Sequence, residues 1–420
     1  MLQSYEVKKL LRIKKNKKHI FINKSLWSGL ILIIYMFGRN IPLPFVNYDD
    51  IFQSSKQSFL LVLSGGATGA NLSQIALFSL GLGPWMSAMI IWQLLVMVKR
   101  FNLDKLNKRE SDFYKNIMTL GIAIIEALGM LASFNLTEKT PLVLTILVVI
   151  MSGGTFFLVW LANINSEFGI GGSVLIVFFG MIGSMEETFI RVFKNSWAKI
   201  PYPLLIALGI FLIAIFIIVI SIMFERSEYR IKINRILVNN SFGNQTYLPI
   251  KLNPCGAMAI MFGLSILMVP NYVVQVLAGI FSSSNILYWL SQNIGLSSYW
   301  GVSLYIATLF GLSFVFGSIN VDSEKISENL RNSGDYINGY RPGAPTRDYL
   351  QKHVSQLSFV GAVFSSLIAG APLYLGVVYP NYSAILMLPG FLMMTVGMML
   401  MVIEQIKAIE ILHSYQELLD

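Results

Sequence analysis

The run from Leu252 to Val321 reads LNPCGAMAIMFGLSILMVPNYVVQVLAGIFSSSNILYWLSQNIGLSSYWGVSLYIATLFGLSFVFGSINV, seventy residues without one Asp, Glu, Lys or Arg. A helix needs about 20 apolar residues to cross the hydrocarbon core of a bilayer. The run must therefore hold two spans, or one span and a broken one. Three more uncharged runs accompany it: Gln57–Val98 with 42 residues, Ile200–Phe224, and His353–Ile403 with 51. Charged residues make up 13% of the 420-residue chain, roughly half the quarter typical of soluble domains. The fold class that follows is an all-α polytopic membrane protein.

Working outward from these runs, hydropathy predicts ten spans. They are Ile20–Gly38, Ile75–Met97, Asn116–Phe134, Leu142–Ala162, Gly169–Met185, Pro203–Phe224, Gly256–Leu277, Tyr299–Ile319, Leu357–Val377 and Ser383–Ile403, the first interrupted by Lys24. A basic tail (1–19) precedes an N-terminal half of five spans (20–190) and a C-terminal half of five (191–420). Ten spans put both termini on one side. That side receives 25 of the 31 Lys and Arg: eight from Lys8 to Lys24, six from Lys99 to Lys115, five from Arg226 to Lys251, five from Lys325 to Lys352, and Lys407. The other side receives Arg39, Lys56, Lys139, Arg191, Lys194 and Lys199. Basic loops stay in the cytoplasm, so both termini are expected there, in a multi-pass plasma-membrane protein. The net charge of +9 then reflects topology and calls for no nucleic-acid partner, although basic loops also suit anionic lipid or an acidic protein face.

Two long loops lie on the basic side, about 225–251 and 320–353. The second contains RNSGDYINGYRPGAPTRDYL (Arg331–Leu350), polar, repeatedly basic and punctuated by Gly and Pro. A bare connection could be shorter and plainer, and the expectation is a docking surface.

Several chemistries find no residues. Cys255 is the single cysteine, so no intramolecular disulfide forms; His19, His353 and His413 stand far apart, and no metal or other cofactor is expected. No GxxxxGK[ST] phosphate loop is present, and GIGGS (Gly169–Ser173) reads as a tight turn between spans. The N-terminus is too charged for a cleavable signal peptide. Ion-coupled transporters place ionisable ligands in the membrane; here Glu126 is the clearest intramembrane charge. Gln57–Val98, with SGGATGAN (Ser64–Asn71) and GLGP (Gly81–Pro84), frees backbone groups that lipid cannot satisfy and reads as a short re-entrant piece before a span. A broken helix, a wet cavity, little intramembrane charge and large basic loops describe a pathway. A small-ion pore wants a charged or carbonyl-lined filter, whereas an unfolded chain needs a soft apolar constriction.

At this point the chain resembles the SecY family of protein-conducting channels. RNIPLPFVN (Arg39–Asn47) is similar to its Ile-Pro-x-Pro turn, and IALFSLGLGPWMSAMIIWQLL (Ile75–Leu95) to IFALGIMPYISASIIIQLL. FLVWLANINSEFGIGGSVLIVFFGMI (Phe157–Ile182), FERSEYRIKIN (Phe224–Asn234), LPIKLNPCGAMAIMFGLSIL (Leu248–Leu267) and ENLRNSGDYINGYRPGAPTRDYL (Glu328–Leu350) match further family motifs in order along nearly the whole chain. The resemblance implies two pseudo-symmetric five-helix halves around a central pore, a lateral gate, and a plug. It places a pore ring on Met86, Ile90, Val174, Phe178, Met261 and Met394. The plug falls on about 60–71, with Leu63, Ser64, Gly65, Gly66 and Gly69. The lateral gate takes Ser87, Gln93, Glu126 and Ser265, with Glu126 protonated or bonded to one of the other three, or else facing a wet vestibule. Motor docking falls on Arg226, Arg230, Arg341 and Arg347, with a juxtamembrane role at lipid headgroups as the alternative for Arg341. Three ring methionines depart from the family's aliphatics; Met adapts its shape, but it is also frequent in this chain, at 20 residues.

Other departures, GPWMSAMIIWQ at the gate helix and GIGGSVL after the fourth span, resemble the accessory SecY of Gram-positive bacteria. The implied function is a translocase channel subunit for large serine-rich glycosylated adhesins. The implied partners are a SecA-type ATPase, accessory Sec proteins, a small SecE-like subunit, the secretory preprotein and membrane lipid. Such a chain is no enzyme, and the motor supplies ATP hydrolysis. The competing readings are a housekeeping SecY and a secondary transporter built from inverted repeats.

Overall fold

The structure is a computed structural model that describes residues 2–45, 76–97, 103–132, 140–196, 203–235, 246–281, 284–379 and 382–419. Eight helices among them are long and apolar enough to cross a membrane, and two shorter apolar helices, Gly83–Met97 and Gly172–Ser184, stand where the second and fifth spans are expected. With no water in the bilayer core, backbone groups must bond within their own segment, which is what makes these apolar runs helices.

The chain divides into two compact units. The first comprises Met1–Ser196, Met268–Ser291 and Met398–Asp420. It holds α1 (Leu2–Asn40), α2 (Gly83–Met97), α3 (Lys108–Ala132), α4 (Pro141–Phe168) and α5 (Gly172–Ser196). Helix α1 begins inside the basic tail rather than at Ile20. Helix α3 packs between α2 and α4, and α4 also meets α1 and α5. The core joins Ala123, Ala127 and Met130 of α3 to Leu147 and Met151 of α4, and to Met268 and Tyr272. Gly129 lets the Tyr272 ring approach the α3 backbone where a Cβ would collide.

The turn from α4 to α5 is the GIGGS segment, a tight turn as expected. Gly171 and Gly172 hold φ of 81° and 50°, the left-handed region that glycine enters without a Cβ penalty. Buried Asn165 donates from Nδ2 to the carbonyls of Ile170 (3.0 Å) and Gly172 (2.9 Å). Its Oδ1 accepts from Ser28 Oγ at 2.8 Å, and Ser28 Oγ accepts from the Ile170 N–H at 2.7 Å. The Gly171 N–H donates to Gln405 Oε1 at 2.8 Å. After α1, Arg39 is buried and donates from Nη1 to the Gly180 carbonyl at 3.2 Å. Pro42 bridges to Ala76, and the Leu77 N–H donates to Ile41 O at 3.0 Å. The chain on the two sides of residues 46–75 thus meets at one place.

The second unit comprises Trp197–Leu267 and Gln292–Gly397. It contains α6 (Pro203–Arg226), β1 (Glu228–Arg235), β2 (Tyr247–Lys251) and the start of α7 (Met258–Ile280). A short helix α8 (Asn285–Asn293) leads to α9 (Tyr299–Asn320), α10 (Ser323–Ser333), β3 (Asp335–Ile337) and α11 (Ala344–Ser365). The chain continues through a π-helical turn, Ser366–Gly370, into α12 (Ala371–Val378), α13 (Ser383–Leu386) and α14 (Leu388–Leu419). Pro372 opens α12; it lacks an N–H to continue the ladder, and the wide turn accommodates the break. The division between the units falls within α7, which carries Pro270, and within α14. Helix α6 exposes Leu205, Phe211 and Phe216; such an apolar helix, exposed nearly all round, suits an apolar environment such as lipid.

The helical class stands, and the two long loops add secondary structure that hydropathy did not indicate. They contain a three-stranded sheet of order β2-β1-β3, and α11 starts at Ala344, ahead of the expected Leu357, so its polar first turns lie against that sheet.

Candidate functional site

The sheet joins the two basic loops into one body. β1 pairs antiparallel with β2, Glu228 opposite Lys251 and Lys232 opposite Tyr247, and with β3, Ile233 opposite Ile337. Asn234 Nδ2 also donates to Asn338 Oδ1. Side chains alternate across a strand. Ile231 and Ile250 therefore turn inward onto Leu330, Ile337, Leu350, Val354 and Leu357. The opposite face carries Arg230, whose guanidinium lies 4.6 Å from the Tyr247 ring centroid and 3.7 Å from Glu228. A run of rings edges the sheet: Tyr340 on Tyr349 (4.2 Å), Tyr349 on His353 (4.2 Å) and His353 on Tyr229 (5.4 Å).

Arg226, Arg230, Arg341 and Arg347 are all exposed on this body. Arg341 sits between Gly339 (φ 83°) and Gly343 (φ 109°), and its carbonyl accepts from buried Thr346 Oγ1 at 2.8 Å. The backbone of the tip is thereby fixed while the guanidinium projects. Arg347 is turned onto Asp348, with Nε at 3.1 Å and Nη2 at 2.9 Å from Oδ1, so part of its charge is already answered. Below the sheet, buried Glu225 accepts from Asn253 Nδ2 at 3.0 Å, and Asn253 Oδ1 accepts from Cys255 Sγ at 2.8 Å. Asn320 Nδ2 donates to Pro254 O at 2.6 Å. Glu225, Asn253 and Asn320 carry no signal of these contacts in the sequence, because their partners are set by packing.

In the first unit the ring residues Met86 and Ile90 are buried on α2, while Val174 and Phe178 of α5 are half-buried, with Phe178 edge-on to Phe179. In the second unit Met261 and Met394 are buried. They stand one turn from Ala257 and Gly397, where α14 meets the start of α7 so closely that a Cβ on Gly397 has no room. The plug residues Leu63, Ser64, Gly65, Gly66 and Gly69 lie outside the described residues.

Of the gate residues, Ser87, Gln93 and Glu126 fall on the packed pair α2 and α3, which is also clamped by Trp92 on Tyr114 at 6.0 Å. Glu126 is buried, and its Oε1 has no hydrogen-bond partner among the described residues; neither has Ser87 Oγ. Ser265 Oγ donates to Met261 O at 3.2 Å, within its own helix. No hydrogen bond joins Glu126 Oε1 to Ser87, Gln93 or Ser265 among the described residues, and its α3 neighbours Ala123, Ala127 and Met130 belong to an apolar core that also holds Tyr272. The physical reason is the helical face: Glu126 shares its stripe with the small and apolar residues that let α3 pack.

These features define a polytopic helical membrane protein with a structured basic domain built on its loops. A family model described as SecY matches residues 76–407. The chain is 34% identical to the accessory Sec system protein translocase subunit SecY2 of Leuconostoc gelidum subsp. gasicomitatum, covering 96% of this chain and 98% of that one. It is 33% identical to the protein of that name from Streptococcus gordonii and 35% identical to that from Streptococcus parasanguinis, with the same coverage. Its fold is similar to a solved protein-conducting channel (TM-score 0.66, 18% identity, 92% of each chain) and to Sec61 in the canine ribosome–channel complex from the endoplasmic reticulum (TM-score 0.60, 18% identity, 92% of each chain). The chain belongs to the SecY family.

Proposed function

We propose that this chain is the channel subunit of an accessory protein translocase. It passes unfolded, signal-bearing proteins, in particular large serine-rich glycosylated adhesins, across the plasma membrane. The observation that carries the reading is end-to-end similarity, at 31% to 35% identity, to relatives that bear the accessory name. The 25 basic residues of one side put both termini and the sheet in the cytoplasm. There the exposed Arg226, Arg230, Arg341 and Arg347 receive a SecA-type ATPase, and Arg341, presented on a fixed tip, is the principal contact. The motor supplies the energy; this chain catalyses no reaction. Accessory Sec proteins and a small SecE-like subunit complete the assembly.

In this reading the preprotein enters between the gate helices, segment 60–71 moves aside, and the chain threads Met86, Ile90, Val174, Phe178, Met261 and Met394. Apolar, flexible side chains seal around cargo without offering it hydrogen bonds. The test is depletion of the protein followed by comparison of growth and of all secreted proteins. Normal growth with one large serine-rich surface protein retained inside is the expected result. Arrested growth with many trapped proteins would make it the housekeeping channel, and unaltered secretion would overturn the translocase reading.

A further inference from the structure

Between α7 and α9 lies α8, NILYWLSQN (Asn285–Asn293), with no ionisable carboxyl, amine or guanidinium and no buried residue. Leu287, Leu290 and Ser291 are half-buried, and their spacing puts them on one face. The rest of the helix presents Ile286 (75% exposed), Tyr288 (67%) and Trp289 (51%), with Asn285 and Gln292 between them. Large apolar and aromatic side chains grouped in this way are costly in water and mark an interaction surface.

The connections fix where that surface lies. The Phe281 N–H donates to Leu277 O at 2.8 Å, the Ser284 N–H to Phe281 O at 3.1 Å, and the Tyr288 N–H to Ser284 O at 3.1 Å. Helix α8 thus begins about one turn beyond the end of α7. At its other end Ser298 Oγ donates to Asn293 Oδ1 at 3.0 Å and accepts from the Trp300 N–H at 3.3 Å. The Gly295 carbonyl rests where Gly301 leaves no room for a Cβ, so the link to α9 is folded back on the first turn of that helix. A residue reaches about 3.6 Å at most, and the short, folded link to α9 holds the end of α8 at the level where that span begins. The side chains beside it continue the lipid-facing surface: Ile280 and Phe281 close α7, Tyr299 and Trp300 open α9, and all four are exposed. Helix α9 ends at Asn320, which donates to Pro254 O just after β2, so the first turn of α9 emerges at the opposite membrane surface from the sheet.

We infer that α8 is an interfacial helix, seated in the headgroup layer on the membrane face opposite the sheet, with Ile286, Tyr288 and Trp289 in contact with lipid. Trp and Tyr settle at this depth because an apolar ring and a polar edge are both satisfied there. Asn285 and Gln292 suit the same layer, and the absence of charge makes binding independent of anionic lipid. The consequence is a fixed depth for the outer end of α7.

The test places a cysteine at Trp289, and separately at Ile286, labels it with an environment-sensitive fluorophore and reconstitutes the full chain in phosphatidylcholine vesicles. Cys255, the single native cysteine, is buried and provides the unlabelled baseline; Asn332→Cys on exposed α10 provides the aqueous reference. The expected result is strong quenching by phosphatidylcholine brominated near the headgroups, together with iodide quenching several-fold weaker than at position 332. Iodide quenching equal to the reference, without quenching by brominated lipid, overturns the inference and puts α8 in water. Shielding from both quenchers also overturns it and means that protein covers the helix. Should Trp289→Cys fail to insert, Ile286→Cys reads the same surface with a smaller change.

Discussion

Arg341 is held between two left-handed glycines, and its charge is displayed rather than paired off like that of Arg347. An exposed, well-positioned Arg is the kind of residue that dominates a docking interface, and its truncation typically costs about 2 kcal/mol or more, roughly 30-fold in affinity. Arg341→Ala is expected to weaken binding of the ATPase by that order while the thermal midpoint of the channel in detergent stays put. Arg341→Lys keeps the charge but loses the planar fork and should fall between. Equal affinity for all three in a titration would remove Arg341 from the docking surface. Glu126 offers a second test. Its Oε1 is buried without a hydrogen-bond partner, and leaving such an atom unsatisfied costs about 1–3 kcal/mol. Glu126→Met, similar in volume and apolar, is expected to raise the thermal midpoint; a fall would mean that the carboxyl has a partner. The sequence marked Glu126 as unusual because a charge in an apolar run is visible by inspection. Its neighbours were not visible, because they depend on which face of α3 meets α2 and Tyr272.

At the scale of elements, the turn between α4 and α5 depends on one side chain. Asn165 satisfies two carbonyls and takes the Ser28 hydroxyl, so Asn165→Ala strands several buried polar groups at about 1–3 kcal/mol each. The expected outcome is a large drop in thermal midpoint, with Asn165→Asp no better, because it keeps the acceptor for Ser28 but sets a buried carboxylate oxygen against the Ile170 and Gly172 carbonyls. A second element-scale prediction concerns the α7–α14 crossing. Gly397→Val inserts a side chain where Ala257 already stands, and overpacking of this kind costs about 1–3 kcal/mol; the midpoint should fall, and Gly397→Ala should fall less. The glycines of GIGGS announced a turn because few other residues take positive φ. Ser28 and Gln405 gave no such signal: polar residues inside apolar helices have many uses, and their partners lie 142 and 234 positions away.

For the whole molecule, the proposed topology predicts that a fluorescent protein fused after Asp420 lights up in the cytoplasm. Alkaline phosphatase fused at the same place should be inactive. The reverse pattern would invert the orientation and detach the sheet from any cytoplasmic motor. The sequence by itself determined the membrane class and the approximate spans, because hydrophobic length is a local sum that needs no folded contacts, and its basic bias is what the proposed orientation rests on. It also carried the family, through motifs kept in order along the chain. Only the tertiary structure decided that loops about 225–251 and 320–353 are one sheet-bearing body. Only it showed that Glu126 Oε1 is buried without a hydrogen-bond partner among the described residues, and that α8 stands with its aromatic residues outward. Each of these rests on pairing between residues remote in the chain or on which face of a helix is covered, and those are settled by packing rather than by composition or periodicity.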